Sequence, residues 1–120
     1  MLNIKNIKRS FKYAIRGVVD VFKKEQNFRI EIFSALCVIL MSIYFKITAN
    51  QTIALILVIM FVLVLELINS AFERMVDVLL PRIHEYAKEI KDIMAAMVLI
   101  ASIAAVIIGI LIFWGYIIKN

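Results

Sequence analysis

The sequence predicts an all-α membrane protein, with an N-terminal amphipathic surface helix followed by three transmembrane helices. Three observations carry that reading. Hydrophobic residues make up 64% of a chain of only 120, against about 45–50% in soluble domains, so a fold this small has too little interior to hide them from water. The charges fall into blocks: the net +5 is confined to residues 1–31, where eight Lys/Arg face three acids, and the later apolar stretches are almost uncharged. One Pro and three Gly leave little room for linkers or a glycine-rich phosphate loop, and the single Cys37 excludes an internal disulfide.

The first element covers residues 1–27. Ile4, Ile7, Phe11, Ile15, Val18 and Phe22 recur at spacings of three and four, with Lys5, Lys8, Arg9, Lys12, Arg16 and Lys23 on the opposite face. This pattern predicts a helix lying in the membrane interface, its basic side toward anionic headgroups or a nucleotide's phosphates. A plain membrane anchor is the simpler alternative. Nucleic-acid binding is disfavoured, because the apolar face leads straight into a span.

Spans are expected at 28–47, 51–70 and 93–118, each near the 20 residues that cross the hydrocarbon. The first has only 14 uncharged residues between Glu31 and Lys46, so flanking charges must snorkel or the span must tilt. The last runs from Ile93 to Ile118 without a charge and ends in Trp114 and Tyr116, an aromatic pair suited to the interface. Three spans place twelve Lys/Arg on one side and only Lys46 and Lys119 on the other. The positive-inside rule then puts the N-terminus in the cytoplasm, in a multi-pass protein of the inner membrane. No cleavable signal peptide is expected, since the first apolar run begins near residue 28 and lacks a small-residue cleavage site. Residues 1–120 read as one membrane domain.

The second span ends in a polar strip that continues as helix to about residue 80. Glu66, Asn69, Ser70, Glu73 and Asp77 share about 100° of arc on an otherwise apolar helix. Stacked carboxylates near lipid repel one another and resist desolvation, so they need protons, basic partners or a divalent cation. Oxygen-only ligands favour Mg²⁺, which takes one or two carboxylates together with phosphate oxygens and water. Glu25 stands just before the first span and can add another carboxylate. The plainer account, in which acids only mark a helix leaving the membrane, suits Asp77 better than Glu66.

Pro81 is expected to stop the second helix, and Arg82, His84, Glu85, Lys88, Glu89, Lys91 and Asp92 lead into the third span. A nucleotide could be held here, with Lys91 neutralising phosphate charge. His84 has no second His or Cys nearby for zinc, and a polar contact in a loop suits it better. Neither a Walker A sequence nor G-x-G-x-x-G is present.

Residues Glu66-Leu67-Ile68-Asn69-Ser70-Ala71-Phe72-Glu73-Arg74-Met75-Val76-Asp77, followed by His84 and Ala87-Lys88-Glu89-Ile90-Lys91-Asp92, closely resemble the E-x-x-N-[ST]-A-x-E-x-x-x-D and A-K-x-x-K-D signatures of the bacterial integral-membrane diacylglycerol kinase and undecaprenol kinase family. Ser10-Phe11-Lys12-Tyr13-Ala14 with Gly17, and Glu25 to Glu31, resemble its undecaprenol kinase branch. The resemblance implies a homotrimer with active sites between neighbouring subunits at the cytoplasmic interface, using ATP and Mg²⁺. It implies Glu66 as the base that takes the lipid hydroxyl's proton, and Glu25 and Glu73 as metal ligands. Tyr13, Glu25, Glu73, Asp77, His84, Lys91 and Asp92 match nucleotide-contacting positions; Arg29, Glu31, Glu66, Asn69 and Ala95 match positions around the lipid. Two departures stand out. Met94 and Met97 replace small residues and should alter packing of the third span, and Arg82-Ile83 replaces an acidic and an aromatic residue.

The expected activity is therefore phosphorylation of a membrane lipid alcohol, undecaprenol first and diacylglycerol as the alternative acceptor. Two other classes compete: a proton or ion conduit that titrates Glu66, and a non-catalytic membrane-assembly protein. A conduit would pass protons without nucleotide.

Overall fold

The computed structural model describes residues 2–80 and 84–119. Four helices follow one another: α1 (Ile4–Lys24), α2 (Gln26–Phe45), α3 (Ala49–Leu79) and α4 (Glu85–Lys119). The last three are each long and apolar enough to cross a membrane. They fit an integral membrane protein.

Helix α1 starts at Asn3, whose side chain accepts the Lys5 N–H at 3.0 Å. It ends with Lys23 and Lys24 in its last turn, where positive charge complements the exposed carbonyls. Only Val21 of this helix is buried, and Ile4, Phe11 and Ile15 stand open on its surface. Glu25 then breaks the chain direction in an extended conformation, φ −112° and ψ 114°, serving both as the end of α1 and the start of α2. Arg29 closes this corner from the α2 side: its Nη1 donates to the Phe22 and Lys23 carbonyls at 2.8 and 2.9 Å, two of the acceptors a helix C-terminus leaves without partners.

Helix α2 stops at Lys46, which takes a left-handed conformation (φ 52°, ψ 54°) while its N–H bonds the Ser42 carbonyl. The connection to α3 is only residues 46–48, as short as the gap between the two expected spans. Thr48 and Gln51 form a reciprocal capping box, each side chain accepting the other's backbone N–H. Gln51 Oε1 also accepts the Tyr116 hydroxyl at 2.7 Å. With Phe45 ringed by Phe113 and Tyr116, this makes an aromatic clasp that joins α2, α3 and α4 at one end of the bundle.

The 31 residues of α3 and 35 of α4, at 1.5 Å of rise each, extend about 46 and 52 Å, well beyond a hydrocarbon core of about 30 Å. Both helices therefore continue past the limits of their expected spans. Residues 85–92 are the first turns of α4, where the sequence reads only as a polar segment leading into a span. Leu80 leaves α3 in an extended conformation, as the residue before a proline is forced to do. Pro81 itself and the Arg82-Ile83 departure lie outside the described residues. Of the two unusual methionines, Met94 is buried and Met97 faces outward.

Candidate active site

At the end opposite the aromatic clasp, α3 turns its polar strip inward. Glu66 is 2% exposed, Ser70 1% and Asn69 9%, positions one turn apart on the face that meets the rest of the bundle. Burying a carboxyl this fully is costly unless it has a task or a partner. Around it stand Glu25 from the α1–α2 corner, Glu73 two turns further along α3, and Glu31 from α2, each close enough to interact electrostatically with the Glu66 carboxyl. Asn69 is its polar neighbour on the same helix.

Ser70 Oγ donates to Glu25 Oε1 at 3.3 Å. This contact accounts for a local irregularity. Glu25 occupies the N-cap of α2 but makes no capping hydrogen bond, because its carboxylate is turned toward α3 instead of toward its own helix. Two buried oxygens in the site have no partner among the described residues, Asn69 Oδ1 and Glu31 Oε2. Unpaired buried acceptors in a folded protein point to a ligand or a cation that would complete them.

A few residues along, Lys91 Nζ contacts Asp77 Oδ1 at 2.5 Å, pairing the start of α4 with the end of α3. Arg74 Nη1 reaches back to Asp20 Oδ2 on α1 at 2.7 Å, and Lys24 meets Asp20 Oδ1 at 3.1 Å. The Arg74 guanidinium first, and Lys24 second, hold the Asp20 carboxyl below its usual range.

The chain thus brings together Glu25, Glu31, Glu66, Asn69 and Glu73, with the Asp77–Lys91 pair beyond them. It does not bring in the other expected positions. Tyr13 is 56% exposed on α1, its ring under the Arg16 guanidinium. His84 accepts the Tyr86 N–H at 3.2 Å through Nδ1 and stacks on the Tyr86 ring, a local contact at the start of α4. Asp92 and Ala95 face outward from α4. Arg29 makes its hydrogen bonds to the α1 terminus. The Asp20–Arg74 pair is absent from the sequence-based expectations. Its one signal is that Asp20 is the only acid among residues 1–24.

Among the described residues no three His, Cys, Asp or Glu side chains converge tightly enough to enclose a metal ion. The donor set is nevertheless the one Mg²⁺ accepts, all oxygen and few in number, leaving positions for phosphate and water. An apolar cavity of about 610 Å³ runs between α2, α3 and α4 from Phe113 and Trp114 up to Asn27 and Glu31, so Glu31 is the member of the acid group that lines this lipid-like space.

A buried carboxyl backed by further acids at the end of a membrane span, beside an apolar cavity, defines an integral membrane enzyme acting where lipid meets water. The comparisons with known proteins place it further. The family model described as prokaryotic diacylglycerol kinase matches residues 12–113, and the chain belongs to this family, a family of lipid kinases. It is 41% identical over 105 residues to a diacylglycerol kinase of Synechocystis, covering 87% of this chain and 60% of that protein. It is 31% identical over 105 residues to the undecaprenol kinase of Bacillus subtilis, covering 88% of this chain and 85% of the other. To the diacylglycerol kinase of Escherichia coli it is 32% identical over 104 residues, with 87% and 85% covered.

Proposed function

We propose that the protein phosphorylates the hydroxyl of a membrane lipid alcohol with ATP as donor, Glu66 acting as general base. The observation that carries this is the burial of Glu66 among Glu25, Glu73 and Asn69, next to Glu31, which lines the polar end of the apolar cavity. In-line phosphoryl transfer asks little covalent chemistry of a protein; it asks for positioning, charge neutralisation and a base for the attacking hydroxyl. A lipid whose tail lies in the cavity would present its hydroxyl beside Glu66, which takes the proton as the oxygen attacks. Glu31, at that polar end, and Asn69 orient that hydroxyl, and Arg29 and Ala95 border the lipid head.

Glu25 and Glu73 would hold Mg²⁺, whose part when bound is to neutralise phosphate charge. Lys91, released from Asp77, would meet the phosphates, and Tyr13, His84, Asp77 and Asp92 would contact the nucleotide. Several of these residues stand apart from the cluster within one chain, which supports a homotrimer whose sites are completed by a neighbour. The basic α1 lies on the cytoplasmic face of the inner membrane, its apolar side in lipid.

For the acceptor, the N-terminal motifs favour undecaprenol. The second reading is diacylglycerol, favoured by the 41% identity to a protein of that name. Detergent-purified protein supplied with Mg·ATP and each alcohol in turn tests both: label transferred to polyprenol above diacylglycerol is expected. Equal failure on both acceptors would sink the reading, and proton flux into liposomes without nucleotide would favour a conduit.

A further inference from the structure

We infer that the Asp20–Arg74 ion pair is a positioning device, pinning the end of α1 to α3 so that Glu25 is set opposite Glu66 and Glu73. This rests on the proposed role of Glu25 and Glu73 in holding the metal. Asp20 and Arg74 are 54 residues apart in sequence and 2.7 Å apart in space. Arg74 directly follows Glu73, and Asp20 lies five residues before Glu25, so the pair ties together the two backbone stretches that bear the metal carboxylates.

Glu25 needs such a tie. Its backbone is extended between two helices, and its only side-chain bond to α3 is the 3.3 Å contact from Ser70. Arg29 fixes the corner between α1 and α2, but it does not reach α3. Lys24 approaches Asp20 from within α1 itself, four residues on, and so cannot join two helices. Asp20 and Arg74 are 36% and 44% exposed, and an exposed pair adds little to global stability. Its consequence is where it holds the Glu25 corner.

The test uses full-length protein with Cys37→Ser and spin labels at positions 19 and 78, diluted with unlabelled chains. In metal-free protein, Arg74→Ala and Asp20→Ala should each broaden the α1–α3 distance distribution. Each should also weaken Mn²⁺ binding, read from the free-ion EPR signal, by about two- to fivefold, the range open to an exposed charge pair. The double variant should lose no more than either single one, Arg74→Lys should bind Mn²⁺ as the parent does, and Lys24→Ala should change neither readout. Additive losses, an equal loss in Lys24→Ala, or an unchanged distance in Arg74→Ala would overturn the inference alone. Unaltered Mn²⁺ binding in both Glu25→Gln and Glu73→Gln would instead overturn the metal reading, and the inference with it.

Discussion

Gln51 Oε1 at the aromatic end of the bundle serves two donors at once, the Thr48 N–H and the Tyr116 hydroxyl, whereas Asn69 Oδ1 and Glu31 Oε2 at the acidic end are buried with no partner. The first end follows the rules of a stable fold: a complete capping box, a short turn, and rings from α2 and α4 in contact. The second breaks them. A cap residue turns away from its own helix, like charges face one another, and a carboxyl lies buried. Local violations of this kind are retained where function requires them. The contrast teaches that this small bundle is fastened at one end so that the other can hold an arrangement that stability alone would not select.

Substitutions at the two ends should therefore separate turnover from stability. The largest effect is expected for Glu66→Gln, which preserves shape while removing the proposed base; turnover should fall by about 10²- to 10⁴-fold, measured as phosphate transferred per chain. Parent-like turnover would erase the distinction between the ends. A far smaller and opposite effect is expected for Tyr116→Phe. Losing its bond to Gln51 should cost about 0.6 kcal/mol, typical of a hydrogen bond between membrane helices, seen as a lower unfolding midpoint in detergent with turnover kept. A collapse of activity in that variant would show that the two ends are not separable.

The smallest effect concerns pH. The Asp20 carboxyl is held below its ordinary value by Arg74 and then Lys24, so the contribution of these contacts is complete above the usual carboxylate range near pH 4 and fades only as pH falls through the lowered value. The α1–α3 spin-label distance should accordingly stay constant from pH 7 to pH 5, and broaden only in stronger acid. Broadening already at pH 6 would remove Asp20 as the controlling group.

Much of this was legible in the sequence because the relevant patterns are local. A 100° arc containing Glu66, Asn69, Ser70 and Glu73 is a property of one helix, and so are the uncharged runs that set three membrane-crossing helices. What escaped depends on how helices meet. Nothing in the order of residues pairs Asp20 with Arg74, turns Glu25 from its own helix to Ser70, or directs Arg29 to the end of α1. The helical start of α4 at Glu85 was hidden for a different reason: its first turns are polar, and hydropathy marks only the apolar part of a helix that begins outside the membrane. The burial of Met94 but not Met97 is likewise a matter of which face of α4 meets α3.

The most direct test of the central claim is the binding of Mn²⁺ with nucleotide to the purified protein, followed by EPR in variants from the two ends. If the acid row gathers the nucleotide's cation beside the lipid, Glu25→Gln and Glu73→Gln should each weaken binding by at least about tenfold, and Tyr116→Phe should leave it unchanged. Identical affinity in all three would contradict the account.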